Sequence, residues 1–128
     1  MIVDTSALCA VLFGEPTREL LLAQLDSASR LRAPATVLVE LGVVLDARRD
    51  GRAAAFAGRT IAAFGIELQP VTAALAEVAR DAHRRYGRGS GHPAKLNFGD
   101  CFSYALAVTE GDILLFTGND FTQTDAPR

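Results

Sequence analysis

Short apolar runs alternate along this chain with longer stretches of helical periodicity. Met1–Val3 is apolar and ends at Asp4, which predicts a buried strand that delivers Asp4 to a sheet edge. Residues 5–13 read as helix. Pro16 suits a first helical turn, and Leu20, Leu21, Leu22 and Leu25 mark the apolar side of a helix over 16–28. A short strand is expected at Leu31–Ala33, then a helix over 35–49 that opens after Pro34 and stops before Gly51. The Ala-rich segment 52–64 is helical by propensity, and Gly65 closes it before a strand at Ile66–Gln69. Thr72 is a fitting N-cap for a helix to Tyr86. The run Gly87-Arg88-Gly89-Ser90-Gly91-His92-Pro93 cannot continue that helix and predicts a mobile surface loop. Helix resumes over Asn97–Glu110, Ile113–Phe116 forms a last strand, and Gly118-Asn119-Asp120 makes a turn beyond it.

Strands that alternate with helices predict an α/β fold, with a mainly parallel sheet covered on both faces. Sites in such folds gather beyond the carboxyl ends of the strands. At 128 residues the chain suits one domain over 1–128, and 49% hydrophobic with 22% charged residues argues against disorder or a disulfide-stapled mini-fold. Cys9 and Cys101 lie in apolar, helix-like stretches and read as small core residues. That usage favours a reducing, cytoplasmic compartment. No apolar run reaches the roughly 18–20 residues of a membrane span, and the N-terminus lacks the layout of a signal peptide, so no membrane partner is expected.

A net charge of −2 makes no global case for nucleic-acid binding. Local clustering changes the picture. Arg80, Arg84, Arg85, Arg88 and Lys95 fall within one short stretch, and arginine prefers planar, bidentate phosphate contacts.

The acidic residues carry the candidate chemistry. Glu40 is the sole ionisable group in Thr36–Leu45, where a buried, unpaired carboxylate would cost several kcal/mol unless a metal or partner compensates. It reads equally well as an exposed residue on a thin polar stripe. Asp4 suits a helix N-cap, Asp100 suits the positive end of a helix, and Asn119 and Asp120 are ordinary turn residues. As a set they say more. Asp4 and Asp120 follow separate strands, while Glu40 and Asp100 lie on helices that can pack beside them. Convergent carboxylates are tolerable around a hard divalent cation, and oxygen ligands suit Mg²⁺ or Mn²⁺. Such a site supports metal-dependent phosphodiester chemistry.

The chain resembles the PIN-domain ribonucleases, and more closely the VapC-type toxins of toxin–antitoxin pairs. The resemblance spans Met1-Ile2-Val3-Asp4-Thr5-Ser6-Ala7, Glu40 in an apolar helix, the block His92-Pro93-Ala94-Lys95-Leu96-Asn97-Phe98-Gly99-Asp100-Cys101, Tyr104-Ala105-Leu106-Ala107, and Leu115-Phe116-Thr117-Gly118-Asn119-Asp120-Phe121. It implies a three-layer α/β/α sandwich with Asp4, Glu40 and Asp100 as a metal-holding acidic triad and Asp120 as a fourth, more variable catalytic member. Thr117, Asn119 and Asp125 are implied helpers. It also implies a Mg²⁺- or Mn²⁺-dependent endoribonuclease that cuts structured RNA of the tRNA or rRNA class and so inhibits translation. A homodimer and a cognate VapB-type antitoxin complete the expectation. One departure stands out: after Thr124-Asp125 only Ala126-Pro127-Arg128 remain, leaving little chain for a final edge strand.

On this reading Arg84, Arg85 and Arg88 grip RNA phosphates, with Tyr86 beside them to stack. Thr5 and Ser6 either position a carboxylate or serve as turn and cap residues. His83 and His92 show no metal-ligand spacing. Two alternatives compete. A haloacid-dehalogenase-type phosphotransferase wants a second Asp where Ser6 stands, and a non-catalytic RNA- or protein-binding PIN domain typically lacks acidic residues that are all present here.

Overall fold

A computed structural model of the chain describes residues 1–48 and 54–128. The elements run β1 (Ile2–Val3), α1 (Thr5–Phe13), α2 (Arg18–Ser27), β2 (Arg32–Pro34), α3 (Thr36–Ala47), α4 (Ala54–Ala63), β3 (Glu67–Gln69), α5 (Ala73–Tyr86), α6 (Phe98–Glu110) and β4 (Leu114–Leu115), then a 3₁₀ turn at Phe121–Gln123. The expected start of the Ala-rich helix at 52 lies outside the described residues, as does the expected end of α3 at 49. Pro16 precedes α2 in a turn rather than opening it.

All pairings in the four-stranded sheet are parallel, in the order β3-β2-β1-β4. Strand residues alternate between two cores because successive side chains point to opposite faces. Ile2 and Leu114 join a core with α5 and α6, built on Leu75, Ala79, Tyr104 and Phe121. Val3 and Leu115 join the other, with Leu8, Leu21, Val37, Leu41 and Ile61 from α1–α4. The expected three-layer α/β/α sandwich is therefore the fold. The chain order reverses at β1, whose neighbours are β2 and β4, and Asp4 follows β1 directly at this switch point.

Asp4 caps α1, accepting from Ser6 N–H, and Gly14 ends that helix in the left-handed region at φ 68°. Thr72 caps α5 as expected, by accepting from Leu75 N–H. The glycine-rich run after α5 is a loop as its residues predicted, exposed from Arg88 to Gly91. A parallel bridge joins Gly87 to Leu96, Leu96 N–H donates to Tyr86 O, and Ala94 and Leu96 are buried. These contacts close the loop at its base, with apolar anchors just beyond the glycines. At the C-terminus, Leu114 N–H donates to Pro127 O at 2.9 Å, so the tail covers β4 with one bond and no further strand forms among the described residues.

Candidate active site at the switch point

Four acidic residues surround the carboxyl ends of β1 and β4. Asp4 is 2% exposed, yet its two oxygens differ sharply. Oδ2 accepts from Ser6 N–H at 2.9 Å and from Ser6 Oγ–H at 2.6 Å, whereas Oδ1 is buried with no hydrogen-bond partner. The cap reading of Asp4 holds through Oδ2, and Oδ1 is left over with no partner. An orphaned carboxylate oxygen is costly to bury.

Asp100 sits in the first turn of α6 in a reciprocal capping box. Asn97 N–H donates to its Oδ2 at 2.7 Å, and Asp100 N–H donates to Asn97 Oδ1 at 2.9 Å. Burial pushes the Asp100 carboxyl up to about 7, against the Asn97 bond, and the negative charges of Asp4, Asp120 and Glu40 add to the rise. That coupling places all four residues in one electrostatic field.

Glu40 projects from α3, half-buried, and Thr5 Oγ–H donates to its Oε2 at 2.6 Å. Burial raises its carboxyl, the Thr5 bond opposes this, and Asp4 adds to the rise. Glu40 is half-buried and partnered by Thr5, so it is not an exposed residue on a solvated stripe. Gly99 lies against it, with room for no Cβ; one built there would stand 2.5 Å from Oε2. Asp120 is exposed on the turn after β4. Among the described residues no three His, Cys, Asp or Glu side chains lie close enough to hold a metal ion unaided.

Ser6 and Thr117 tie the two strand ends together. Thr117 N–H donates to Ser6 Oγ at 3.1 Å, and Thr117 Oγ–H donates to Ser6 O at 3.4 Å. Thr117 therefore stands where a helper would. Asp125 does not. It accepts from Tyr104 Oη–H at 2.5 Å and from Arg85 at 3.1 Å, which fastens the tail to α5 and α6 instead. Asn119 is exposed, and its carbonyl oxygen accepts from Thr122 Oγ–H at 2.6 Å.

The arginines separate into two groups. Arg80 pairs with Glu77, Arg84 with Asp81 and Arg85 with Asp125. Arg88 instead donates its Nε–H to Lys95 O at 3.3 Å, a bond that leaves the terminal nitrogens of its fork out. Lys95 is the one non-glycine residue of positive φ among those described, at 54°. Nothing in the sequence pattern signalled that strain or the Gly99 contact. His92 packs edge-on against Tyr86, with ring centroids 4.9 Å apart, and takes no part in the acidic site. Cys9 and Cys101 are free thiols pushed up to about 11, chiefly by burial, which disfavours the thiolate.

Comparison with known proteins adds the decisive observation: the PIN domain family matches residues 1–127. The chain belongs to the PIN-domain family. Within it the chain sides with the VapC proteins, being 45% identical over 125 residues to Ribonuclease VapC42 of Mycobacterium tuberculosis, which covers 98% of this chain and 95% of that one. Among solved structures, this PIN domain is similar to M. tuberculosis VapC20, titled a Sarcin-Ricin loop cleaving toxin, with a TM-score of 0.78 at 23% identity, covering 98% of this chain and 95% of that chain. It is also similar to a chain of a toxin–antitoxin complex from Klebsiella pneumoniae, with a TM-score of 0.69 at 17% identity over 97% and 92% of the two chains. Both structures share the fold. No helix among the described residues of this PIN domain is long and apolar enough to cross a membrane.

Proposed function

We propose that residues 1–128 form one nuclease domain, a metal-dependent endoribonuclease that acts as the toxin of a toxin–antitoxin pair and blocks translation by cutting structured RNA of the tRNA or rRNA class. The observation that carries this reading is the buried, unpartnered Oδ1 of Asp4 in the shared field of Asp100, Glu40 and Asp120. The donor set fits a hard cation. All its groups are carboxylates, and Mg²⁺ binds through one or two carboxylates while keeping several waters. Asp4 and Asp100 supply two such carboxylates within one electrostatic field.

Asp4 Oδ1 and Asp100 would hold the Mg²⁺ or Mn²⁺, with Glu40 reaching it through water. When bound, the cation neutralises the cluster and lowers the pKa of an attacking water. Ser6 keeps Oδ2 of Asp4 occupied, so that Oδ1 faces the site. Asn97 orients Asp100, and Thr5 orients Glu40. Asp120 adds negative charge at the rim. A water held among these oxygens would serve as the nucleophile toward the RNA phosphorus.

Arg88, bonded to Lys95 O, and Lys95, two residues before Asn97, are the RNA-phosphate contacts that the ion pairs favour. Arg84 and Arg85 already hold carboxylates. Exposed apolar side chains support the partners. Val39 and Val43, one turn apart on α3, lie beside Glu40, with Leu20 and Phe56 exposed on α2 and α4; this face suits a VapB-type antitoxin. Phe98, 77% exposed beside a groove lined by Ala79, His83 and Cys101, suits a second copy in a homodimer.

The test is cleavage of structured RNA by purified protein in Mg²⁺, in Mn²⁺ and in chelator, with 5′-end sequencing in the presence and absence of the cognate antitoxin. Metal-dependent cuts at defined positions, suppressed by antitoxin, are expected. Undiminished cleavage in chelator with trace metals excluded overturns the metal reading.

A further inference from the structure

Gly99 is the second residue of α6, a position where the helix itself has no use for glycine. Its φ is not left-handed, and glycine is among the poorest helix formers. The reason lies across the interface. A Cβ at Gly99 would meet Glu40 Oε2 at 2.5 Å and Glu40 Cδ and Oε1 at 2.6 Å, and these three carboxylate atoms are its nearest neighbours. Two other helical glycines behave differently, since a Cβ at Gly42 or Gly58 meets nothing within 4 Å. The Glu40 carboxylate is also not free to retreat, because Thr5 holds Oε2 at 2.6 Å.

We propose that Gly99 is the positioning residue for Glu40. The missing side chain opens a notch in the first turn of α6, and the Glu40 carboxylate sits there, between the Thr5 hydroxyl and the turn that carries Asp100. A side chain at position 99 pushes the Glu40 carboxylate, the flexible end of its side chain, out of the notch and strains its bond to Thr5. That movement takes Glu40 away from the oxygen set of Asp4 and Asp100. This inference rests on the reading of Glu40 as a site carboxylate.

A double-mutant cycle tests it, with Gly58→Ala as the control for helix propensity. Melting temperatures of the metal-free protein are measured for wild type, Gly99→Ala, Glu40→Ala and the double variant. Gly58→Ala should raise the melting temperature by about 3–5 °C, as removal of an unneeded helical glycine does. Gly99→Ala should lower it or leave it unchanged when Glu40 is present, and raise it by a similar amount in the Glu40→Ala background. Gly99→Ala with Glu40→Asp, which withdraws the carboxylate by one methylene, should recover the lost stability. In the Glu40 background Gly99→Ala should also shrink the Mn²⁺-induced rise in melting temperature and lower kcat at least 10-fold with KM unchanged. The same thermal effect of Gly99→Ala in both backgrounds overturns the notch and leaves the role of Glu40 standing. Thermal coupling together with wild-type cleavage by Glu40→Ala overturns the positioning role from the other side, because Glu40 then has no catalytic place to keep.

Discussion

The Ser6 hydroxyl donates to Asp4 Oδ2 at 2.6 Å, two residues along the chain from the carboxylate it holds. The same hydroxyl accepts from Thr117 N–H at the end of β4, so one side chain joins two strand ends and decides which carboxylate oxygen is left unpartnered. Ser6→Ala deletes the hydroxyl and leaves Thr117 N–H without its partner. A loss of about 1–2 kcal/mol in stability and a 10- to 100-fold fall in cleavage are expected. Thermal melts and single-turnover cleavage on the same preparation check both; wild-type cleavage would remove Ser6 from the positioning set.

Asp4→Asn separates the two duties of Asp4. Asparagine still accepts from the Ser6 groups and still caps α1, so the metal-free melting temperature should be unchanged or higher as one like charge leaves the cluster. Added Mn²⁺ should stabilise wild type and the variant much less. Cleavage should fall by orders of magnitude. Equal stabilisation by Mn²⁺ with wild-type cleavage would reduce Asp4 to a cap.

The raised carboxyl of Asp100, at about 7, makes metal-free stability depend on pH. An unfolded aspartate titrates near ~3.9, so the folded chain holds this proton more tightly. The resulting stabilisation is complete below about pH 4 and is lost as pH rises through about 7. Asp100→Asn keeps an acceptor for Asn97 N–H and cannot titrate. The stability of wild type relative to this variant should therefore drop between pH 4 and pH 8 by something on the order of 2–4 kcal/mol. Chemical denaturation of both proteins across that range, in chelator, measures it. A constant difference would refute the shift.

Lys95 holds a left-handed backbone that a lysine adopts at a cost of roughly 1–2 kcal/mol. Lys95→Gly should raise the melting temperature by several degrees while weakening RNA binding and reducing its salt slope by about 1. Opposite signs on one substitution mark a residue kept for binding rather than folding. Unchanged RNA affinity would leave the strain without this use.

Arg88→Ala should lower the salt slope of RNA binding in the same way, and Arg84→Ala should not, because the Arg84 fork is already on Asp81 at 2.8 Å. Arg85→Ala should act on stability instead, by freeing Asp125 and the tail it anchors. Salt titrations of the three variants distinguish the assignments. An equal loss of slope in all three would restore the wider arginine patch.

Local rules carried the fold. The apolar run before Asp4, the cap at Thr72, the stop at Gly65 and the alternation of short strands with helices are set by neighbours in sequence, and the structure keeps each of them. The parallel, doubly covered sheet follows from that order alone, because parallel strands need crossovers and the crossovers lie on its faces. The Arg84–Asp81 pair is local too, three residues apart on one helix, but the reading of Arg84 as a phosphate contact passed over it.

What needed the tertiary structure was every relationship across the chain. Arg85 meets Asp125 at a separation of 40 residues, which turned an expected site helper into a tether. Glu40 meets Thr5 across 35 residues and Gly99 across the α3–α6 interface, which decided between two readings that periodicity left equal. The orphaned Oδ1 of Asp4 belongs to the same class. A residue type states which bonds a side chain can make, but only the packed neighbours decide which of its atoms are satisfied, and the proposed chemistry starts from one oxygen left over from that count.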